Sequence, residues 1–165
     1  MNKRGFTLIE ILVVVGIVAL VGTLAAIAVN AARSKQRDAT RLSQVRLVQS
    51  ALEDYFNETN AYPTGEVLPL GDARQSACLG SGGFAGNCTG DQAIFLRVVS
   101  ATIDKGLHGQ ALCGDPARNA FCYTQTLEGT GYKIEFELEN ALVQARLVKG
   151  INCATPDGIS GGECE

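Results

Sequence analysis

A long apolar segment near the N-terminus constrains the fold of this chain more than any other feature. Residues 6–29, FTLIEILVVVGIVALVGTLAAIAV, contain a single charge, at Glu10. As an α-helix with a rise of 1.5 Å per residue, this segment would be about 36 Å long, which exceeds the hydrocarbon thickness of a bilayer. A cleaved secretory signal has a shorter apolar core that ends at a small-residue site, so residues 6–29 are predicted to form a retained transmembrane helix.

The charges divide the chain into two unlike parts. Residues 1–49 have a net charge of +5 and residues 50–165 a net charge of −8, although the total is only −3. All six cysteines and the single histidine follow residue 60. A length of 165 residues leaves room for one domain of ordinary size beside the membrane segment, which argues against a multidomain enzyme.

Two details distinguish the N-terminus from a generic membrane anchor. Glu10 lies inside the apolar run, where an ionised carboxylate at the bilayer centre costs about 2.5–3.5 kcal/mol. A position one turn from the helix end, near the headgroups and the positive end of the helix dipole, reduces that cost. The second detail is the leader, residues 1–5, in which two basic residues precede Gly5 and an abrupt apolar start at Phe6.

The segment Lys3-Arg4-Gly5-Phe6-Thr7-Leu8-Ile9-Glu10 resembles the processing site of type IV pilins and type II secretion pseudopilins. The resemblance is close over residues 1–29 and looser to about residue 65. It implies that a membrane aspartyl protease, the prepilin peptidase, cleaves between Gly5 and Phe6 and methylates the new amino group of Phe6. It also implies a homo-oligomeric helical filament, built by an assembly platform in the cytoplasmic membrane, with the N-terminal helices around its axis.

The resemblance gives Glu10 a partner. Removal of the leader leaves a positive amino group on Phe6, and a neighbouring subunit one step along the filament brings that charge to Glu10. A buried carboxylate paired with a buried ammonium costs less than either charge alone, and subunits out of register would bury unpaired charges. The sequence departs from the family at Ile27, where relatives usually carry a proline that loosens the helix. Gly16 and Gly22 supply some of the same weakness.

The helical pattern continues beyond the membrane segment, over residues 30–57. Six apolar side chains fall within an arc of about 140° on a helical projection: Leu42, Val45, Val48, Leu52, Tyr55 and Phe56. This amphipathic half needs a globular domain to cover its apolar stripe, whereas the opposite side is polar. Pro63 and Gly65 are predicted to end the helix, because the residue before a proline avoids helical geometry and glycine permits a turn.

A basic cluster follows the membrane segment: Arg33, Lys35, Arg37 and Arg41. Weighed against two basic residues in the leader, these four would keep the large domain in the cytoplasm by the positive-inside rule. Six cysteines at loop-like spacings indicate an oxidising exterior instead, as the resemblance also implies, so a single pass with the C-terminal region outside is predicted. We interpret the cluster as a solvated collar at the headgroups. DNA binding, as some related pilins perform during uptake, is the alternative, although no aromatic residues accompany the cluster.

Residues 58–165 are predicted to form the exported globular region. Its first part, residues 65–91, has the composition of a loop, and residues 92–103 are predicted to form a short packed helix. A three-stranded antiparallel sheet is expected at about 120–148, with strands at 120–127, 132–139 and 142–148. Its apolar face is expected to cover the long helix. Its other face, which includes Glu137 and Glu139, is expected to be wet.

The six cysteines are spaced as three near pairs, separated by 10, 9 and 11 positions: Cys78 and Cys88, Cys113 and Cys122, Cys153 and Cys164. Fifteen pairings exist, of which the local set is the simplest. Each loop of about ten residues would contribute roughly 2–3 kcal/mol on the chain-entropy model. Zinc is the competing interpretation, but no Cys-x-x-Cys occurs and His108 does not stand at a ligand spacing.

No serine or cysteine has a base at a suggestive spacing, so no enzyme activity, catalytic residue or cofactor is predicted. Calcium is the one ion for which the chain offers candidates. Major pseudopilins often hold calcium in their C-terminal loops, and Asp157 and Glu163 carry suitable oxygen ligands, although the residues do not define a complete site.

The sequence therefore predicts an α+β, pilin-like fold in which a long N-terminal helix, half transmembrane and half amphipathic, packs on a small antiparallel sheet. The predicted function is a structural subunit of a type IV pilus or of a type II secretion pseudopilus. The alternative is a minor pilin or membrane-anchored binding module for adhesion or DNA uptake. The expected location is the cytoplasmic (inner) membrane, followed by an extracellular or periplasmic filament.

Overall fold

The computed structural model describes residues 7–164, and it consists of one long helix followed by short strands. The helix is α1 (Leu8–Thr59). The strands are β1 (Leu68–Pro69), β2 (Cys78–Gly80), β3 (Gly83–Ala85), β4 (Ile94–Leu96), β5 (Leu112–Cys113), β6 (Arg118–Asn119), β7 (Cys122–Thr126), β8 (Gly131–Leu138), β9 (Gly150–Thr155) and β10 (Gly158–Gly161). This layout confirms the predicted pilin-like α+β class.

Helix α1 is continuous over 52 residues, so it is about 78 Å long. It runs without interruption through Ile27, the position at which the sequence departs from the family pattern. The helix ends at Asn60, whose left-handed backbone (φ 57°) lets its N–H donate to the carbonyl of Phe56. Asparagine tolerates this conformation well, so the helix ends three residues before Pro63.

No residue of the first half of α1 is buried by the rest of the described chain. Every residue from 7 to 33 is exposed, and within residues 7–164 only this helix is long and apolar enough to cross a membrane. The second half packs on the globular region. The predicted stripe faces the core, with Val45, Val48 and Leu52 buried and Leu42, Tyr55 and Phe56 partly buried against it.

The main sheet has five antiparallel strands in the order β1-β7-β8-β9-β10. Two of the predicted strands are confirmed as β7 and β8, which are joined by a 3₁₀ turn at Leu127–Gly129. Buried side chains of this sheet, including Tyr123, Ile134 and Phe136, pack against the helix stripe.

The predicted third strand, at residues 142–148, is wrong. This segment folds back on itself through a bridge between Leu142 and Leu147, with a 3₁₀ turn between them and Arg146 in the left-handed region. Strand β9 occupies the place beside β8 instead. Its buried Asn152 donates and accepts within the preceding loop, and this polar residue breaks the apolar pattern by which a strand is recognised.

The predicted loop at 65–91 and the predicted helix at 92–103 instead contribute β1 to the main sheet and form a three-stranded sheet in the order β3-β2-β4. Farther along the chain, β5 pairs with β6. Strand β4 lies against the helix, where Phe95 contacts Tyr55 with ring centroids 5.4 Å apart. The sequence pattern of a short apolar run is compatible with either a helix or a buried strand. Here the run packs against α1 as a strand.

Three disulfides close local loops in the globular region: Cys78–Cys88, Cys113–Cys122 and Cys153–Cys164. These are the three near pairs that the spacing predicts. The first ties β2 to the loop after β3, the second joins β5 to β7, and the third fastens the end of the chain to β9. They constrain segments that have little regular structure of their own.

The outer face of strand β8 is only partly exposed to solvent. Glu137 is only 1% exposed, because the loop before β5 covers it. Its carboxylate accepts from the backbone N–H groups of His108 and Gln110, at 2.6 and 2.9 Å, and from the side-chain amide of Asn119 at 2.8 Å. Burial raises the pKa of Glu137, but these hydrogen bonds outweigh burial and the net pKa is lowered.

Glu137→Gln is expected to lower the free energy of unfolding at pH 7 by about 1–3 kcal/mol, since the charged acceptor is lost. A carboxyl with a lowered folded-state pKa stabilises fully above its unfolded pKa of about 4.3 and loses that contribution as the pH falls through the folded value. The difference between wild type and variant should therefore shrink below about pH 4. Urea unfolding of the detergent-solubilised chain at several pH values measures this difference in the free energy of unfolding. Glu135→Gln, on the same strand but half-exposed, should change little; equal effects of both variants would contradict the assignment.

Candidate assembly interface

The N-terminal end of α1 is organised by a reciprocal pair of hydrogen bonds between Thr7 and Glu10. The backbone N–H of Glu10 donates to Thr7 Oγ1 at 3.3 Å, and Glu10 Oε2 accepts from both the N–H and the hydroxyl of Thr7 at 2.9 Å. This is a capping box, in which two backbone donors left free at a helix start are satisfied by side chains. The acid that the sequence singles out therefore has a local structural role in the single subunit.

The capping box leaves part of Glu10 available. Both local bonds go to Oε2, so Oε1 has no partner among residues 7–164. The carboxylate is exposed, at the end of the helix where the dipole favours negative charge. Gly5 and Phe6, the predicted cleavage site and the predicted cationic partner, lie outside the described residues.

The surface beyond Glu10 is apolar on every side rather than along one stripe. Large aliphatic side chains between Leu8 and Val29 are each roughly half exposed or more, including Leu8 at 83% and Ile27 at 68%. A helix that is hydrophobic all round belongs in lipid or inside a bundle of helices. The first half of α1 is therefore suited to both the membrane and a helical filament core.

A buried ion cluster joins α1 to the globular region just above this apolar half. Its four charged members are Arg37, Asp38, Arg41 and Glu139, so its net charge is zero. Arg41 has no exposed side-chain surface, and its Nη1 lies 2.8 Å from both Asp38 Oδ1 and Glu139 Oε1. Its remaining N–H groups donate to the carbonyl oxygens of Ile103 and Lys105.

The two carboxylates of the cluster are held from both elements. Asp38 is fully buried and accepts from the backbone N–H groups of Glu139 and Asn140, each at 2.9 Å, and from the Asn140 amide at 2.8 Å. Arg37 forms a two-pronged pair with Glu139, at 2.7 and 2.6 Å. The hydrogen bond from Arg37 chiefly lowers the pKa of Glu139, with Arg41 adding to it against the opposing effect of burial.

The predicted collar of four basic residues is therefore wrong for two of them. Arg37 and Arg41 are turned into the ion cluster, since α1 presents them to the end of β8 rather than to headgroups. Arg33 and Lys35 alone remain exposed. This halves the basic patch that the DNA-binding alternative requires, because phosphate attraction depends on free positive charges.

The calcium candidates are separated along the chain end. Asp157 is exposed in the turn between β9 and β10, and Glu163 is exposed after β10. Among residues 7–164, no three side chains of His, Cys, Asp or Glu are grouped so as to hold a metal ion. Calcium binding stays a prediction.

Sequence reasoning missed the ion cluster, although the helix pattern contained a signal for it. Asp38 and Arg41 fall on the same helical face as Val45 and Leu52, where a solvated pair is out of place. Opposite charges three residues apart on an apolar stripe indicate a buried pair that the domain must satisfy. Its partner Glu139, one residue past the end of β8, has no comparable signal.

Comparison with known proteins bears on the N-terminal part of this interface. Residues 1–26 match the prokaryotic N-terminal methylation motif. No curated protein and no solved structure matches the chain. The matched residues include the capping box, Glu10 and most of the exposed apolar helix. The chain thus carries the N-terminal methylation motif that marks type IV pilins and pseudopilins, on a pilin-like fold of one long helix and antiparallel sheets.

Proposed function

We propose that this chain is a structural subunit of a type IV pilus or type II secretion pseudopilus filament, assembled through its N-terminal helices. One observation carries the proposal: the methylation motif runs directly into a helix half that is apolar on every side and that no other part of residues 7–164 covers. Such a surface needs lipid before assembly and other helices after it. Proteins with this motif are typically structural rather than enzymatic.

Processing follows from the motif. The prepilin peptidase cleaves between Gly5 and Phe6 and methylates Phe6, and the assembly platform takes the mature subunit from the cytoplasmic membrane. The C-terminal region lies outside the cytoplasm. Three disulfides support this orientation, because such bonds persist in oxidising compartments. The zero net charge of the ion cluster also removes two of the four cations that argue for the opposite orientation.

Within the filament, Oε1 of Glu10, which has no partner among residues 7–164, accepts a hydrogen bond from the ammonium group of Phe6 of the next subunit. The same carboxylate retains its bonds to Thr7 through Oε2, so the helix start need not be remodelled when the partner arrives. The pair therefore fixes the register of the subunits, because a shift by one step would leave the carboxylate and the ammonium group each without a partner.

The processing proposal is tested by the N-terminal sequence and mass of the protein recovered from cells with and without the prepilin peptidase. We expect a mature chain that begins at methylated Phe6 in the first case and at Met1 in the second. A Gly5→Glu variant should remain full-length in both strains, while a substitution in the leader at Asn2 should be processed normally. Sheared filaments composed of full-length chains would contradict the proposal.

A further inference from the structure

The two ends of the globular region carry opposite charges. We define the tip as the end farthest from the apolar half of α1, and the base as the end next to it. Five exposed acids lie at the tip: Asp54, Glu58, Glu66, Glu128 and Asp157. Five exposed bases lie at the base: Arg33, Lys35, Lys105, Arg146 and Lys149.

The tip is formed where α1 ends and the chain turns into β1. The backbone of Tyr62 donates to the carbonyl of Gly129, which brings the β7–β8 turn and Glu128 beside the helix end. The backbone of Gln125 donates to the carbonyl of Gly65, which places Glu66 at the same level. Residues 50–69, 125–132 and 154–159 contain no lysine or arginine, so nothing within these segments balances the acids.

The base surrounds the buried ion cluster. Lys105 gives its carbonyl oxygen to Arg41 at 2.7 Å, and Lys149 precedes Gly150, which pairs with Leu138 beside Glu139. Segments 33–35, 103–107, 140–152 and 161–164 lie at this end, the last because Gly161 pairs with Asn152, and together they contain these five bases and two acids, Asp104 and Glu163. The four charges of the ion cluster cancel, so the exposed bases set the sign of this end.

The dimensions of α1 bring these ends together in a stack of copies. Ser34 is the first helix residue bonded to the globular region, through Asn140. It divides the 52-residue helix into halves of equal length, each about 39 Å. A second copy displaced along the axis by one half of its helix sets its base on the tip of the first. Its apolar half then lies at the level of the first copy's globular region.

We propose that the acidic tip of one subunit docks on the basic base of a second copy farther along the filament. This interface rests on the proposed filament function and adds a second contact, between globular regions, to the helix packing. It is heterologous, since two different surfaces of the same chain meet, and heterologous contacts between copies displaced along an axis continue without closing into a ring. Opposite charges fix which end meets which, and like ends repel.

Charge reversal tests the interface without touching the helix core or the positive charges nearest the membrane. The tip variant reverses four acids, Asp54→Lys, Glu58→Lys, Glu66→Lys and Glu128→Lys, which takes the five tip charges from −5 to +3. The base variant reverses three bases, Lys105→Glu, Arg146→Glu and Lys149→Glu, which takes the five bases and two acids of the base from +3 to −3. Each should reduce sheared filaments by roughly tenfold, because like charges meet in the stack. The chain that combines both sets of substitutions restores opposite signs and should recover most of the filaments. The matched control reverses two exposed charges between the ends, Asp115→Lys with Arg97→Glu, and should assemble as wild type.

The outcomes separate this inference from the filament proposal. Wild-type filaments with undiminished tip and base variants would overturn the docking while leaving filament assembly intact. Loss in both variants without rescue in the combined chain would also overturn it. Thermal unfolding of each variant in detergent is measured in parallel, and equal midpoints establish that the losses arise from docking. Absence of filaments from the wild type itself would count against the filament function.

Discussion

Glu10→Gln is expected to give a processed, membrane-inserted subunit that forms on the order of a hundredfold fewer filaments. Glutamine keeps an oxygen that accepts from Thr7, so the capping box survives. It removes the negative charge, so the ammonium group of Phe6 from a neighbouring subunit would be buried without a counter-ion. An unpaired charge in an apolar helix bundle costs about 2.5–3.5 kcal/mol, which corresponds to roughly a hundredfold in association.

The structure supplies a control that separates capping from assembly. Thr7→Val removes the hydroxyl that accepts from the N–H of Glu10 but leaves the acid in place. Its cost is about 1 kcal/mol of helix stability, and filaments should persist. Electron microscopy of sheared fractions, together with the mass of the membrane-bound subunit, measures both variants. Normal filaments from Glu10→Gln, combined with loss in Thr7→Val, would reduce Glu10 to a helix cap.

The parts of the fold that the sequence predicts are those with local signals. The apolar run, the stripe from Leu42 to Phe56 and the cysteine spacing each depend on residues close together in the chain. The strands β7 and β8 alternate over enough residues to show a period of two. These features are predicted correctly because the residues that form the pattern in the sequence are also the residues that determine the local structure.

The parts that fail depend on distant partners. Strands β1 to β6 have two or three residues each, too few for any period, and they exist because α1 and the disulfides hold their neighbours in place. The strand pattern places Glu137 on the solvent-exposed face, but in the structure a loop some 30 positions earlier in the chain covers it. From the sequence, Arg37 and Arg41 are assigned to a solvated collar, because their partner Glu139 lies about a hundred residues away and no local pattern indicates it.

The ion cluster carries the second large expected effect. Arg41→Met keeps most of the aliphatic stem of Arg41 but leaves Asp38 buried beside Glu139 with no nearby cation except Arg37. Breaking a buried pair by removing one partner costs about 3–5 kcal/mol, because the remaining charge is uncompensated. That is a large share of the roughly 5–15 kcal/mol that stabilises an ordinary domain. Arg41→Lys should rescue little, since one ammonium group cannot replace donors that reach two carboxylates and two carbonyl groups.

Arg37→Met is the matched control, because Arg37 lies one turn away and shares the acceptor Glu139. Its side chain is 21% exposed, whereas that of Arg41 is fully buried, so the loss of Arg37 should cost less than the loss of Arg41. Urea unfolding of the full chain in detergent, followed by tyrosine fluorescence, measures both variants. Equal losses would mean that burial of Arg41 contributes nothing beyond an ordinary surface pair. A much larger loss for Arg41→Met would show that the buried pairs of the ion cluster, in addition to the apolar stripe, fasten the globular region to α1 at its base. That is where a filament held together by its helices must transmit load to its surface.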